Sequence, residues 1–135
     1  MSDRLFLDTA YPLALLNRRD QYHNAAKSLF ERVQSAQEVW TTEAVLLEVG
    51  DALSRLSRSA AAGFIRNCYA EKNMRIESVS TQLLRAVDLY ERRSDKTWGL
   101  TDCLSFVVMQ DNELTDALTA DQHFQQAGYR VLLQK

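Results

Sequence analysis

Short apolar runs without polar alternation recur along this chain, and segments with helical spacing separate them. The clearest is Arg4–Asp8, in which three consecutive apolar residues precede a carboxylate. A strand that is continuously apolar is buried on both faces, as in a parallel sheet, whereas a half-exposed strand alternates. Strands are predicted at Arg4–Asp8, Val39–Thr42, Met74–Val79, Asp116–Ala120 and Tyr129–Leu133.

The intervening segments carry apolar residues three and four positions apart, which is the spacing of an amphipathic helix. In the segment His23–Ala36, for example, Ala26, Leu29 and Val33 share one side. Alternating strands and helices form βαβ units, so the predicted fold is α/β: a three-layer α/β/α open sheet, mainly parallel, with about five short strands. The other main helices are predicted at Glu43–Leu56, Ala60–Ala70, Ser80–Arg93, Thr101–Gln110 and Gln122–Ala127.

Composition fits a single domain, which we expect to span residues 1–135. Four glycines and one proline are too few for the frequent turns of an all-β fold. The longest stretch without a charged residue, Thr9–Asn17, is too short for a membrane helix, and no signal sequence is evident. Cys68 and Cys103 are isolated, which argues against a disulfide framework or a zinc finger. We therefore expect a cytoplasmic protein without a membrane partner.

Two carboxylates follow predicted strands, at the edge of a parallel sheet where ligands bind. Asp8 follows the first strand, and Asp121 follows the segment Ala117–Ala120. Either residue alone is also explained by capping of the next helix, because an aspartate at an N-cap accepts backbone N–H groups. Both interpretations stay open for each residue.

Two more carboxylates border the apolar sides of predicted helices. Glu48 lies one turn from Val45 and Ala52, and Asp102 shares a strip with Phe106. Carboxylates are rarely buried without a partner. A salt bridge to an arginine would explain Glu48 equally well, and the helix dipole would explain Asp102 in a first turn.

These four carboxylates could converge above the sheet, two from strand ends and two from helices. Ionised carboxylates roughly 4 Å apart repel by about 4 kcal/mol at an effective dielectric of about 20, so such a cluster requires a cation. Oxygen ligands favour hard ions such as Mg²⁺ or Mn²⁺, which phosphodiester hydrolases use to activate water. The net charge of the chain is −2, and the four carboxylates account for −4 of it. The rest of the molecule is therefore mildly basic, as suits a phosphate backbone.

Taken together, these residues resemble the PIN-domain ribonucleases, in particular the small single-domain VapC-like toxins. The resemblance covers nearly the whole chain and depends on the order and spacing of its motifs. The last block, T-x-D-x-H-F-x3-G before a predicted strand, is the most specific. The matching segments are Leu5–Thr9, Thr42–Glu48, Leu100–Cys103 and Ala117–Gly128.

This resemblance implies an endoribonuclease that hydrolyses RNA by metal-activated water and leaves 5′-phosphate and 3′-hydroxyl ends. Its cofactor would be Mg²⁺ or Mn²⁺. The catalytic and metal-binding residues would be the four carboxylates Asp8, Glu48, Asp102 and Asp121.

Four further residues are candidates for lining the site. Thr9 and Thr119 match positions that line it in the family. Asp95 is either an outer carboxylate or a loop charge, and Ser105 either hydrogen-bonds near the metal or simply lies on a helix face. For His123, packing is favoured over a role at the site rim.

The family also implies protein partners. These are a second copy of the chain and, for a toxin, a cognate antitoxin that occupies the active-site groove. We expect a homodimer formed through the helices Ala25–Val33 and Ala60–Tyr69.

Other functions compete with the toxin hypothesis. The chain could be a stand-alone PIN nuclease, a nuclease that cuts DNA, or a non-catalytic module that binds RNA or protein. A non-catalytic module is expected to lack at least one of the four carboxylates, and all four are present. An aspartyl-phosphate enzyme is disfavoured because Ala10 stands where dehalogenase-like enzymes place a second aspartate.

Overall fold

The predicted strands form one sheet in the computed structural model, which describes residues 3–135. All four strand pairings are parallel, and the strand order is β3-β2-β1-β4-β5. The predicted α/β class with a five-stranded parallel sheet is therefore confirmed. The first two residues of the predicted 1–135 domain lie outside the described residues. The strands are β1 Arg4–Leu7, β2 Glu38–Thr42, β3 Met74–Glu77, β4 Asp116–Leu118 and β5 Arg130–Val131.

Helices cover both faces of this sheet. Right-handed crossovers from β1 through β2 to β3 place the first four helices on one face, and the return to β4 and β5 places the last three on the other. None of the helices within residues 3–135 is long and apolar enough to cross a bilayer. They are α1 Ala10–Leu16, α2 His23–Ser35, α3 Glu43–Leu53, α4 Arg58–Ala70, α5 Val79–Arg92, α6 Leu100–Asp111 and α7 Gln122–Gln126.

Several element boundaries differ from the predicted ones by one to three residues, and local capping explains two of these differences. The helix predicted to reach Leu56 ends three residues earlier, and the Ser57 hydroxyl accepts the Ala60 N–H to start α4. The third strand ends before Val79, because the Val79 N–H donates to Glu43 Oε1 at 3.1 Å and α5 begins there.

Strand β1 lies at the centre of the sheet, which explains its unbroken apolar run. Leu5 and Phe6 are fully buried, with Phe6 packing towards Phe124 of α7 on one face. The chain winds in opposite directions from β1 and from its neighbour β4, so the gap between them is a topological switch point. Leu7 pairs with Leu118, and the residues after both strands therefore emerge side by side at this gap.

Candidate metal centre

Asp8 is the first residue after β1 and is buried at the switch point. Asp8 is 8% exposed, and the Thr119 hydroxyl donates a 2.8 Å hydrogen bond to Asp8 Oδ2. Burial raises the pKa of Asp8 to about 6; the hydrogen bonds from Thr119 and Thr9 oppose this rise, and the charges of Asp102 and Asp121 add to it. No cation within residues 3–135 forms a salt bridge with it.

Asp121 follows β4 and enters the site through a local turn. Its backbone N–H donates to Thr119 Oγ1 at 3.1 Å, so one threonine contacts both acidic residues. Asp121 Oδ1 accepts the His123 backbone N–H at 2.9 Å, which makes Asp121 the N-cap of α7. The capping interpretation is therefore correct for one carboxylate oxygen, while the other makes no hydrogen bond within the described chain.

Asp102 reaches the same place from the first turn of α6. Its Oδ2 accepts the Gly99 backbone N–H at 3.1 Å and lies 3.0 Å from His123 Nδ1. The first-turn position also places this carboxylate at the positive end of the helix dipole. Asp102 therefore stabilises its helix and contributes a ligand atom to the cluster.

Glu48 lies on α3, at the border of the site. The Thr9 hydroxyl donates a 2.9 Å hydrogen bond to Glu48 Oε1, which links the helix to the end of β1. The arginine salt bridge considered for Glu48 does not occur among the residues that the structure describes. Glu48 is exposed, unlike Asp8, so it forms the solvent side of the site.

His123 is the residue that sequence reasoning missed. Its Nδ1 lies 3.0 Å from Asp102 Oδ2 and 3.4 Å from Asp121 Oδ1, while Nε2 lies 3.2 Å from the Thr97 hydroxyl. Each of Asp102, Asp121 and His123 offers one ligand atom within 4.8 Å of the others. The signal was its position two residues after Asp121, at the start of a short helix.

The two remaining candidates make contacts that favour the simpler interpretations. Asp95 accepts two hydrogen bonds from Arg93, at 2.9 and 3.0 Å, and lies 3.6 Å from Lys96 Nζ. The hydrogen bonds from Arg93 lower the pKa of Asp95 to about 2. The Ser105 hydroxyl donates to the Thr101 carbonyl at 3.1 Å, one turn back on α6. Neither side chain hydrogen-bonds to the acidic cluster within residues 3–135.

The geometry therefore combines Asp8, Asp102 and Asp121 with an imidazole at one edge of the sheet. Asp102 and Asp121 offer ligand atoms within 4.8 Å of each other, and Asp8 is near enough for their charges to raise its pKa. A divalent cation would stabilise such a group, and a donor set of oxygens with one nitrogen is chemically suited to it. The switch point of an α/β sheet is also where ligands bind in folds of this kind.

Comparisons with known proteins identify the family of this chain. The model of the PIN domain family matches residues 5–128, a range that includes all four predicted carboxylates. No curated protein matches this sequence.

Two solved structures share the fold. VapC20 from Mycobacterium tuberculosis, described as a sarcin-ricin loop cleaving toxin, is 28% identical, with a TM-score of 0.80 over 93% of this chain and 95% of VapC20. VapBC2 from Rickettsia felis, bound to a DNA fragment from its promoter, is 11% identical with a TM-score of 0.65. That match covers 95% of this chain and 96% of the other, and it shows the fold alone. Since the family model extends from β1 to just beyond α7, the chain belongs to the PIN-domain family, as its motifs predicted.

Proposed function

We propose that this protein is a divalent-metal-dependent endoribonuclease and the toxin of a toxin–antitoxin pair, and that residues 1–135 form one PIN domain. The observation that supports the activity best is the convergence of Asp8, Asp102 and Asp121, with no cation from residues 3–135 to neutralise Asp8. A carboxylate cluster of this kind is costly for a protein unless it binds a cation. Its position at the switch point of a PIN fold supports the same function.

The residues present fit Mg²⁺ or Mn²⁺. Asp8, Asp102 and Asp121 would hold the ion, and Glu48 would contribute directly or through a water molecule. When bound, a divalent ion supplies a Lewis acid that activates water and neutralises charge on the phosphate.

The chain's own residues prepare this centre for the ion. Thr119 fixes the carboxylate of Asp8 and the backbone of Asp121, so these two acids keep one relative position. Thr9 holds Glu48 towards the end of β1. Such supporting hydrogen bonds orient ligands and contribute strongly to metal affinity.

RNA is the proposed substrate. The loop between α5 and α6 adjoins the centre through the contact of Thr97 with His123, and it carries Arg93 and Lys96. Both pair with Asp95, so this part of the loop keeps one net positive charge, which would attract the phosphates that flank the scissile bond. VapC20 is a sarcin-ricin loop cleaving toxin, and we extend an activity of that kind to this chain.

We also infer a cognate antitoxin that occupies the active-site groove, because VapC20 is a toxin. A second surface that it could cover lies outside the acidic centre. An apolar cavity of about 480 Å³ opens between α1, α2 and α4, and its lining includes Tyr11, Phe30 and Phe64. The Tyr11 hydroxyl is buried there without a hydrogen-bond partner among the described residues. A partner segment with apolar side chains would fill this groove.

The homodimer predicted through helices 25–33 and 60–69 stays a prediction. Those helices also border the apolar cavity, so a second copy and an antitoxin would compete for one surface. Size-exclusion chromatography with light scattering, with and without the co-expressed partner, measures which of them binds.

The proposed activity is tested by cleavage of a structured RNA pool with and without Mn²⁺. Asp8→Asn and Asp102→Asn should each lower the rate by about 100-fold or more, because each removes one charged ligand. Asp111→Asn is the matched control, since Asp111 pairs with Arg85 on the surface. Circular dichroism confirms that each variant is folded.

Each alternative function has its own outcome in this assay. Cleavage by Asp8→Asn at the wild-type rate would refute the assigned site. Cleavage of single-stranded DNA at the same rate as RNA would identify a nuclease that does not recognise the 2′-hydroxyl. RNA binding by the wild type without cleavage in Mn²⁺ would identify a non-catalytic module.

A further inference from the structure

The imidazole of His123 points into the acidic centre. Its Nδ1 lies within 3.0 Å of an Asp102 oxygen and 3.4 Å of an Asp121 oxygen, and its side chain is only 21% exposed. A histidine serving only as packing would direct its ring against apolar neighbours. Here one ring nitrogen contacts two carboxylates that belong to different elements, α6 and the turn before α7.

The other ring nitrogen has a partner that allows Nδ1 to bind an ion. Nε2 lies 3.2 Å from the Thr97 hydroxyl, which can donate to the Nε2 lone pair or accept an Nε2–H, so Thr97 can pair with either tautomer of the neutral ring. Without an ion, Nδ1–H can donate to Asp102; with an ion bound, the proton would lie on Nε2, Thr97 would accept it, and the Nδ1 lone pair would be free to bind the ion. Histidines that bind metals usually donate their second N–H in this way, which sets the tautomer and the orientation of the ring.

The distances are also those of ligands around one small ion. Ligands that lie 2.0–2.1 Å from an octahedral ion are roughly 2.9 Å apart along an edge of the octahedron. The two Nδ1–oxygen separations, 3.0 and 3.4 Å, are close to this value. Small adjustments of the side chains would therefore place all three atoms around one ion.

We propose that His123 binds the divalent ion through Nδ1 and thereby makes the centre selective for Mn²⁺ over Mg²⁺. This inference rests on the metal centre of the proposed function and adds a nitrogen ligand to its four carboxylates. Mg²⁺ is a hard ion that prefers oxygen, whereas first-row transition ions accept imidazole readily. A centre made only of carboxylates would discriminate less between the two ions.

Substitution of the two histidines of the chain separates this role from a structural one. His123→Asn keeps a polar group at the same branch point but offers oxygen in place of nitrogen, so the centre becomes one of oxygen ligands only. His23→Asn is the matched control, because His23 Nδ1 contacts the Ala14 carbonyl at 2.8 Å instead of the acidic cluster.

The test is made on the full chain with Mn²⁺ as the probe and without RNA. Pulsed electron paramagnetic resonance of bound Mn²⁺ should show a directly coordinated ¹⁴N nucleus in the wild type and in His23→Asn, but not in His123→Asn. Calorimetric titration should show the ratio of Mg²⁺ to Mn²⁺ dissociation constants falling by about tenfold or more in His123→Asn alone.

The wild-type spectrum is decisive even where a variant fails to fold. Bound Mn²⁺ without ¹⁴N coupling would overturn the role of His123 while leaving the carboxylate centre intact. An unchanged Mg²⁺-to-Mn²⁺ ratio in folded His123→Asn would overturn the selectivity. Absence of Mn²⁺ binding to the wild type, or binding unaffected by Asp102→Asn, would refute the metal centre itself, and the inference with it.

Discussion

Two buried aspartates on neighbouring strands have opposite surroundings. Asp8 follows the carboxyl end of β1, whereas Asp116 begins β4, so the two lie at opposite ends of the parallel strands. Asp8 is 8% exposed and Asp116 is 6% exposed. Asp116 accepts hydrogen bonds from Arg130 at 2.8 and 3.2 Å and from Arg32 at 2.9 Å. Asp8 has a hydroxyl from Thr119 and no such cation within residues 3–135.

Their pKa values change in opposite directions for this reason. Burial would raise the pKa of Asp116, but its hydrogen bonds from Arg130 and Arg32 outweigh burial and lower it. Burial is the largest cause that raises the pKa of Asp8 to about 6, and the nearby charges of Asp102 and Asp121 contribute to this rise. One end of the strands therefore holds a carboxylate neutralised by two arginines, whereas the other holds a carboxylate that pairs with no cation among residues 3–135.

The largest effect is expected from Asp8→Asn in the absence of metal. A pKa raised from 3.8 to about 6 means that ionised Asp8 lowers the free energy of unfolding by about 3 kcal/mol. The folded protein binds this proton more tightly than the unfolded chain, so the penalty is absent below about pH 3.8 and complete above about pH 6. Urea unfolding in a chelator should therefore find Asp8→Asn more stable than the wild type near pH 7, with equal stability near pH 4.

Mn²⁺ provides the control for this comparison. Bound Mn²⁺ should stabilise the wild type but not Asp8→Asn. The difference between their free energies of unfolding near pH 7 should therefore become smaller or change sign. An Asp8→Asn protein that is less stable than the wild type in chelator near pH 7 would show that a cation of the protein neutralises Asp8.

Asp116→Asn should change the free energy of unfolding in the opposite direction from Asp8→Asn, and by less. It removes charged hydrogen bonds from two arginines, so we expect the free energy of unfolding to fall by about 2 kcal/mol near pH 7. The stabilisation is present above the ordinary aspartate pKa and is lost as the pH falls below it, because the folded pKa is lowered. Thermal unfolding measures the loss, and Mn²⁺ affinity should be unchanged.

Asp111→Asn is the surface control for Asp116. Asp111 also pairs with an arginine, Arg85, but on the exposed side of the molecule, where such pairs contribute little. Equal losses in the two variants would mean that burial of Asp116 adds nothing to its ion pairs.

The sequence could predict the parts of the structure that depend on local patterns, but not those that depend on distant contacts. The run Leu5–Leu7 predicted a doubly buried strand because burial on both faces leaves no polar alternation, and β1 is the central strand. Helix ends were less certain, since Val79 starts a helix through a bond to Glu43, 36 residues away. Contacts between residues so far apart leave no local pattern.

The candidate site was predictable only in part for the same reason. Asp8 and Asp121 were identifiable because each follows an apolar strand, and parallel strands bring such residues together. The imidazole of His123 was not, because its approach to Asp102 depends on how α6 and α7 pack. The pairing of Asp95 with Arg93 is local, yet a sequence cannot tell which charged neighbours bind each other.

The smallest effects are expected from substitutions of two buried threonines, Thr119 and Thr41, whose hydroxyls each donate one hydrogen bond. Thr119→Val removes the donor to Asp8 and the acceptor for Asp121, whereas Thr41→Val removes a 2.9 Å bond to the Leu7 carbonyl. Both should lower the free energy of unfolding by about 1 kcal/mol. Only Thr119→Val should also weaken Mn²⁺ binding, by about tenfold, because it alone orients two ligands. Equal Mn²⁺ affinities of Thr119→Val and Thr41→Val in calorimetry would mean that the carboxylates of Asp8 and Asp121 hold their positions without Thr119. The surroundings of Asp8 and Asp116 would then differ only in the charges that face them.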